Sequence, residues 1–362
     1  SRRFSANLTF NPTEFSRLRV QWTHGNFAVD GSRESFDEVW VQFQMSLGAH
    51  GAHAFEERGE RAMIRKLLAT GAVLGVSALA ATPSPAAVRV VATTSSMGML
   101  ARTVGGDAVK ITVLSPPDRD AHFLLARPSM MVALRRADLL LAVGADLEVG
   151  WLPAALRGAN NGKILPGQPG YFEGAAQIEL LEVGDAPDRS RGDVHPAGNP
   201  HYYMDPERMA QVAQALAGRL ATLDVKNAES YRANAKAFAQ AVADRVPAWK
   251  EEAAGAPGAV FYHKDGNYLA GLLHVPILAY VEPLPGIPPT ASHLREVVRR
   301  LEGKKGIILY NTYHSKDGPE FLARNLGWGE RQLQLELDLD ADGAAYLDHI
   351  DVWVSAVASA VR

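Results

Sequence analysis

The 362-residue sequence contains no cysteine. Disulfide bonds, thiolate nucleophiles and cysteine-based zinc sites are therefore excluded. A metal site in this chain has to be built from histidine, carboxylate or backbone oxygen ligands. The chain also lacks a basic excess, since 37 Lys and Arg residues stand against 40 Asp and Glu residues and the formal net charge is -3. Binding to nucleic acid normally needs a strongly positive surface, so we predict no nucleic-acid partner.

The chain also lacks an apolar run long enough to span a membrane. The apolar stretch at residues 67–81 is shorter than the roughly 20 residues that a transmembrane helix needs. It follows a short cationic segment that begins at Met63, and small residues follow it as far as Ala87. This order is typical of a secretory signal peptide. We therefore predict a signal peptide over residues 63–87 and export of the chain; the alternative is a buried helix.

The 62 residues that precede Met63 do not fit this arrangement, because a signal peptide acts at an N-terminus. They show no sustained period of 2 or 3.6. We interpret residues 1–62 as a spurious or disordered extension that results from a start assigned too early, the alternative being a genuine N-terminal extension. His50 and His53 are discounted as ligands for the same reason. N-terminal sequencing of the native protein tests this interpretation.

From residue 88 onward, short apolar or β-branched segments alternate with segments of helical period. This alternation is typical of a parallel sheet with helices on its faces. Strands are predicted at residues 88–93, 109–114, 139–143, 259–262, 275–281, 306–310 and 333–337. Helices are predicted at residues 128–137, 145–156, 267–273, 291–301, 318–325 and 345–361. We predict an α/β fold with two lobes, residues 88–224 and 255–362, each with a mainly parallel sheet flanked by helices.

Between the lobes lies a segment with the composition of one long helix. Residues 226–254 contain no glycine and one proline, Pro247. Apolar residues recur at helical spacing, among them Tyr231, Phe238 and Val246. At 1.5 Å per residue such a helix is about 43 Å long, which is the span of a whole domain. We predict one rigid linking helix over residues 225–254; two ordinary surface helices are the alternative.

Three histidines lie where a strand or a loop leads into a helix. His122 follows the predicted strand that ends at residue 114, His201 precedes a predicted helix start, and His263 ends a predicted strand. These are the positions at which α/β folds bind ligands. Each histidine alone is more often a capped or core residue. Their spacing by itself leaves a metal site and a structural role equally open.

A fourth position of the same kind follows the predicted strand that ends at residue 337. It offers Asp338, with Asp340 nearby. Three imidazoles and one carboxylate suit Zn²⁺ in a tetrahedral shell. Neutral imidazole does not select hard cations such as Ca²⁺ or Mg²⁺.

Three segments around these histidines resemble motifs of a known family. Residues 120–129, D-A-H-F-L-L-A-R-P-S, resemble the D-P-H-x-Y-E-P-T-P-S segment of the metal-binding solute-binding proteins of ABC importers, the ZnuA/TroA/AztC-like family. Residues 199–206, N-P-H-Y-Y-M-D-P, closely resemble its N-P-H-x-W-L-D-P segment. Residues 263–268 are similar to its third-ligand segment, H-D-A-F-G-Y. The resemblance covers essentially the whole of residues 88–362.

The resemblance implies three histidine ligands: His122, His201 and His263. It also implies a fourth ligand from a late loop between a strand and a helix, for which Asp338 is our prediction, ahead of Asp340 and Glu336. Members that prefer manganese or iron tend to carry two histidines and two carboxylates. A histidine at the third position therefore favours Zn²⁺, with manganese as the alternative.

The family implies a function in metal uptake. We predict a monomeric, periplasmic, high-affinity zinc-binding protein that captures Zn²⁺ in the cleft between the lobes. It would deliver the ion to the permease of an ABC importer in the inner membrane, with a periplasmic zinc metallochaperone as a further candidate partner. We do not predict an enzyme, because a zinc hydrolase needs an open coordination position and no H-E-x-x-H motif occurs. An exported metal-dependent adhesin remains an alternative.

Two departures from the family pattern concern the surroundings of the site. The first motif lacks the Pro, Tyr and Glu of the family segment. A Gly- and Pro-rich loop at residues 185–198, which contains His195, replaces the long acidic, histidine-rich loop of many zinc-binding members. We predict that this loop covers the site or helps to capture metal, the alternative being a solvated loop. Glu282 and Asp265 are predicted to orient ligand imidazoles.

Overall fold

The computed structural model describes residues 2–13, 16–29, 32–45, 87–184 and 195–361. The chain divides into two compact units, residues 1–82 and 83–362. Residues 63–86 of the predicted signal peptide lie outside the described residues. None of the helices in the described ranges combines the length and the apolar character that crossing a membrane requires.

The described part of the first unit is an antiparallel sheet. Its strands are β1 (Arg2–Thr13), β2 (Ser16–Val29) and β3 (Ser32–Met45), in the order β1-β2-β3. These strands differ from the expectation of a disordered segment. Val39 and Val41 on β3 are exposed. That residues 1–62 are absent from the native protein stays a prediction.

The second unit contains two lobes, each built on a sheet of four parallel strands. The first sheet consists of β4 (Val88–Ala92), β5 (Val109–Val113), β6 (Leu139–Ala142) and β7 (Tyr171–Glu173). The second consists of β8 (Ala259–Phe261), β9 (Ile277–Tyr280), β10 (Ile307–Asn311) and β11 (Gly329–Leu333). Their orders are β5-β4-β6-β7 and β9-β8-β10-β11. Both lobes therefore have the same topology, and the predicted fold class is confirmed.

Nine α-helices in the described residues flank these sheets. Those of the first lobe are α1 (Ser95–Gly105), α2 (Pro128–Arg136), α3 (Leu152–Ala159) and α4 (Pro206–Leu223). The linking helix is α5 (Ala228–Glu252). Those of the second lobe are α6 (Asn267–Leu273), α7 (Ala291–Leu301), α8 (Asp317–Leu326) and α9 (Gly343–Ala358).

The long helix α5 joins the two lobes as predicted. It packs against α1 and α4 of the first lobe and against α6 and α9 of the second. Its buried side chains, including Tyr231, Phe238 and Trp249, belong to one continuous apolar core that extends from β4 to α9. Pro247 lies inside the helix without ending it. A shared core of this kind resists a wide hinge movement between the lobes, since such a movement would expose apolar surface.

Two elements differ most from their predicted bounds. The predicted helix at residues 145–156 begins only at Leu152, because Gly144, Ala145 and Asp146 have φ angles of 84°, 49° and 66°, which a right-handed helix cannot contain. The predicted strand at residues 333–337 ends at residue 333 instead. Leu335 and Leu337 are buried by packing rather than by strand pairing, which gives the alternating pattern of a strand without the strand.

The start of α4 is capped by the side chain of Asp205. Asp205 is 1% exposed, and its Oδ1 accepts hydrogen bonds from the backbone N–H groups of Glu207 and Arg208 at 2.9 and 3.2 Å. Its Oδ2 pairs with the guanidinium of Arg208. Pro206 occupies the first helical position, where no intrahelical N–H donor is needed.

We expect Asp205→Ala to lower the free energy of unfolding by about 1–2 kcal/mol, since two amides lose their acceptor at the helix start. The measurement is urea unfolding of the metal-free protein, followed by circular dichroism. Asp340→Ala removes an exposed carboxylate and should change stability by less than about 0.5 kcal/mol. Equal effects of the two substitutions would contradict the capping role.

Candidate metal centre

Three histidines from separate parts of the chain lie together in the second unit. His122 lies in a 3₁₀ turn (Ala121–Phe123) beyond β5, His201 begins a 3₁₀ turn (His201–Met204) before α4, and His263 follows β8. One ligand nitrogen from each lies within 4.8 Å of the others. The ring centroids are 4.9 to 5.6 Å apart. The structure thus brings together the three histidines that the sequence singles out.

Two of these histidines are oriented by the same local motif. Asp120 and Asn199 each stand two residues before a histidine. Asp120 Oδ1 accepts from the backbone N–H of His122 at 2.9 Å and lies 2.6 Å from its Nδ1. Asn199 Oδ1 accepts from the backbone N–H of His201 at 3.0 Å and lies 2.8 Å from its Nδ1. An oxygen at this distance holds the proton on Nδ1 and leaves Nε2 with a lone pair.

The third histidine obtains the same arrangement from a neighbouring strand. Glu282, just beyond β9, places Oε1 3.2 Å from Nδ1 of His263. This direct contact supports the orienting role that is predicted for Glu282. Asp265 differs from its prediction, since its carboxylate accepts a hydrogen bond from the side-chain amide of Asn311 and, among the described residues, makes none to an imidazole.

The free edges of the imidazoles face one another. Nε2 of His201 and Nε2 of His263 are buried, and neither has a hydrogen-bond partner among the described residues. A buried nitrogen without a partner is costly in a folded protein. Nδ1 bound to an oxygen together with an unbonded Nε2 is the arrangement that metal-ligating histidines have. The three histidines therefore have the geometry of a group that could hold a metal ion.

The charges of the residues around the three histidines favour a bound cation. Burial lowers the pKa of His201 well below its usual value, and nearby imidazoles add to the effect, so this ligand is neutral. Burial also opposes a charge on His263, but the bond to Glu282 and the charges of Asp265 and Asp120 outweigh it and raise the pKa. Burial opposes the charge of Asp120 as well, yet its bond to His122 lowers the pKa to about 2. Carboxylates behind the ligands would offset the charge of a divalent ion.

The three carboxylates predicted as a fourth ligand are not in this group. Asp338 is exposed, and its Oδ1 accepts a long hydrogen bond of 3.4 Å from Gln334. Asp340 is also exposed. Because β11 ends at residue 333 rather than 337, Asp338 lies well beyond the end of the strand. Asp338 is therefore removed from the candidate ligand set.

Glu336 is buried, and its Oε1 has no hydrogen-bond partner among the described residues. Its Oε2 accepts hydrogen bonds from the Ser95 hydroxyl, the Ser96 hydroxyl and the Ser96 backbone N–H at 2.7 to 2.8 Å. Burial raises its pKa in spite of these bonds. Since Ser95 and Ser96 begin α1, Glu336 binds the second lobe to the first directly beside the cleft.

A fourth histidine, which the predicted ligand set omits, lies against the group. Nε2 of His195 is 3.1 Å from Nε2 of His122, and its ring centroid is 6.3 Å from that of His201. His195 belongs to the loop at residues 185–198, which is predicted to cover the site or to help capture metal, with a solvated loop as the alternative. Two cavities, of about 280 and 120 Å³, open onto the histidines, the larger lined by His195, His201 and Glu282 and the smaller by His122, Phe123 and His314.

A two-lobed α/β fold with convergent imidazoles in its cleft defines a class of metal-ion-binding proteins. The chain belongs to the family described as zinc-uptake complex component A, periplasmic, whose profile matches residues 90–360. The resemblance carried by the three motifs is thereby confirmed.

Individual relatives are more distant. The high-affinity zinc uptake system protein ZnuA of Yersinia pestis is 24% identical over 255 residues, which cover 66% of this chain and 80% of that protein. The iron ABC transporter substrate-binding lipoprotein MtsA of Streptococcus pyogenes serotype M1 is 26% identical over 184 residues, 48% of this chain and 56% of that protein. The chain spans about half the length of the streptococcal lipoproteins that it matches.

The solved structures share the fold. A crystal structure of ZnuA superposes with a TM-score of 0.63 at 20% sequence identity and covers 76% of this chain and 100% of its own. This similarity supports the two-lobe architecture of the second unit.

We expect Asn199→Ala to weaken metal binding by roughly 10–100-fold with unchanged stoichiometry, since the Nδ1 proton of His201 loses its acceptor. Asn199→Asp keeps the oxygen and should restore most of the affinity. Competition titration against a chromophoric chelator measures both variants. An Asn199→Ala protein with wild-type affinity would contradict the orienting role.

Proposed function

We propose that this protein binds Zn²⁺ between its lobes through His122, His201 and His263 and delivers the ion to the permease of an ABC importer. The observation that carries the proposal is the convergence of three imidazoles whose Nδ1 atoms face oxygens while two buried Nε2 atoms have no protein partner. Membership of the zinc-uptake family supports the direction of transport.

The chemistry of the ligands supports zinc as the cargo. Imidazole nitrogen suits Zn²⁺ and other late transition metals, whereas manganese sites are richer in carboxylate and water oxygens. The carboxylates of Asp120 and Glu282 contact imidazoles, so they support the ligands instead of adding oxygen donors. Relatives are named for zinc and for iron uptake, which makes the choice of metal a question for direct measurement.

The same surroundings favour binding over turnover. A hydrolytic zinc site keeps an open position beside a free carboxylate or histidine that acts as a general base. Here Asp120 and Glu282 are already engaged with ligand imidazoles. A solute-binding role, in the periplasm that the predicted signal peptide implies, accounts for this arrangement without a reaction. The permease and its ATPase are the partners that such a role requires.

We expect His122→Ala, His201→Ala and His263→Ala each to weaken zinc binding by more than the roughly 100-fold that loss of a supporting group can cost. Asp338→Ala is the matched control and should bind like the wild type. Elemental analysis and competition titration with Zn²⁺ and Mn²⁺ measure affinity and preference. Tighter binding of Mn²⁺ than of Zn²⁺ would replace zinc with manganese in the proposal.

The apolar core that both lobes share around α5 limits how the metal ion would be released. Trp249 and Phe238 on α5 and Trp353 on α9 lie in the core that spans both lobes, and Glu336 links the lobes at the cleft. Opening the cleft widely would expose this apolar surface and break these bonds. Release in this protein therefore proceeds by small shifts near the ligands.

We expect the radius of gyration of residues 88–362 in solution to stay the same, within measurement error, when zinc is added. Small-angle X-ray scattering of the metal-free and zinc-loaded protein measures it. A clear decrease on loading would show a domain closure that the shared core does not allow.

A further inference from the structure

We propose that the buried carboxylate of Glu148 is a positioning residue of the metal site. It fixes one loop of the first lobe, and this loop fixes the turns that carry His122 and His201. The proposal rests on the proposed function, since it concerns the same site. None of the hydrogen bonds that Glu148 makes among the described residues goes to an imidazole, so its effect on the ligands is indirect.

Glu148 joins the ends of two neighbouring strands. It is 3% exposed. Its Oε1 accepts hydrogen bonds from the Thr93 hydroxyl at 2.6 Å and from the backbone N–H of Val143 at 2.8 Å, and its Oε2 accepts one from the backbone N–H of Gly144 at 3.1 Å. Thr93 follows β4 and Val143 follows β6. A buried carboxylate requires such donors, and here they lie at the edge of the sheet from which His122 also comes.

The loop that Glu148 holds has an unfavourable backbone conformation. Gly144, Ala145 and Asp146 follow one another with φ angles of 84°, 49° and 66°. Glycine adopts such angles readily, whereas alanine and aspartate do so at a cost. A conformation of this kind persists only where the surrounding contacts impose it. The bonds from Glu148 to Val143 and Gly144 are such contacts, because they fix the backbone where the left-handed residues begin.

The far end of this loop contacts the turn of His122. The side chain of Trp151 is 1% exposed, and its indole N–H donates to the carbonyl oxygen of Ala121 at 2.9 Å. The backbone N–H of Trp151 donates to the carbonyl oxygen of Glu148 at 3.1 Å. A Cβ at Gly150 would lie 3.4 Å from the carbonyl oxygen of His122. The backbone of His122 is therefore placed by the loop that Glu148 holds.

The near end of the loop contacts the turn of His201. Tyr202 is fully buried, and its hydroxyl donates to the carbonyl oxygen of Val143 at 3.1 Å. Val143 is also the residue whose N–H is bound by Glu148. A Cβ at Gly174 would lie 2.0 Å from the hydroxyl oxygen of Tyr202, so glycine at this position leaves room for the contact. Glu148 thus acts on each of the two ligands through the residue beside it.

This placement is separate from the orientation of the rings. The oxygens at Nδ1 set the proton and the rotation of each imidazole, whereas the loop sets where the two turns stand. The ring centroids of His122 and His201 are 5.2 Å apart. Bonds from a metal ion to its ligands tolerate deviations of only about 0.2 Å. A shift of one turn relative to the other therefore weakens binding even when both rings keep their proton on Nδ1.

The experiment uses the full chain with Glu148→Gln, Trp151→Phe and Tyr202→Phe. Glutamine has the shape of glutamate, but its amide N–H₂ would face N–H donors and loses at least one of the bonds. The other two changes each remove one hydrogen bond and keep a buried ring. By competition titration against a chromophoric chelator, we expect Glu148→Gln to weaken Zn²⁺ binding about tenfold. Trp151→Phe and Tyr202→Phe should each weaken it roughly threefold.

Two further readouts separate positioning from a general loss of stability. In ¹⁵N spectra of the imidazoles, Trp151→Phe should shift the signals of His122 and leave those of His201, and Tyr202→Phe should do the reverse. Because the three side chains act through the same contacts, the triple variant should lose less affinity than the product of the three separate losses.

Asn161→Ala is the matched control. The side-chain amide of Asn161 donates to the carbonyl oxygens of Leu134 and Ala137 at 2.9 Å each, just before the start of β6. The substitution therefore removes two hydrogen bonds in the same lobe at the opposite end of the strand. It should lower the stability of the protein and leave Zn²⁺ affinity and the imidazole signals unchanged.

The outcomes distinguish this proposal from the proposed function. A folded Glu148→Gln variant with wild-type affinity, or a loss of affinity that Asn161→Ala matches, overturns the positioning role while the wild type still binds Zn²⁺. If circular dichroism shows that Glu148→Gln does not fold, the other two variants decide, and wild-type affinity in both overturns the proposal. A wild-type protein that binds no Zn²⁺ overturns the proposed function, and the positioning role with it.

Discussion

The bond between a side-chain oxygen and Nδ1 of each histidine is the interaction on which the site depends. Without it, an imidazole can carry its proton on either nitrogen and can rotate, so that three such rings would rarely present three lone pairs to one point. Asp120, Asn199 and Glu282 remove this freedom at His122, His201 and His263. The unpartnered Nε2 atoms of His201 and His263 are the cost of this order, and a metal ion would offset that cost.

The fold makes the alignment of the three imidazoles possible, because it holds the two lobes at a fixed relative position. Both sheets have the same strand order, and the ends of their strands supply residues to one cleft. Because α5 and α9 share a core with both sheets, the distance between His122 of one lobe and His263 of the other is set by packing. Glu336 adds a buried polar contact at the cleft itself. A rigid scaffold therefore turns local motifs into a site.

The parts that could be predicted from sequence are those with local causes. Periodicity gives α6 and α7 with their bounds, and Asp205 with Pro206 gives the start of α4. The D-x-H and N-x-H spacings contain the orienting bonds as well as two of the three predicted ligands. Asp338 fails because alternating burial at Leu335 and Leu337 imitates a strand that has already ended. The contact of His195 with His122 joins residues 73 positions apart, and no local pattern encodes it.

The difference between a carboxylate that contacts the ion and one that stands behind an imidazole changes how the protein would discriminate among metals. A carboxylate ligand adds a negative charge and an oxygen donor, and both make the binding of Mn²⁺ and Fe²⁺ more favourable. An imidazole adds neither, so selectivity would come from ligand type while Asp120 and Glu282 supply charge from behind the rings. Because a carboxylate behind an imidazole acts through the ring and does not contact the ion, the site gains electrostatic stabilisation for a divalent ion without gaining an oxygen donor.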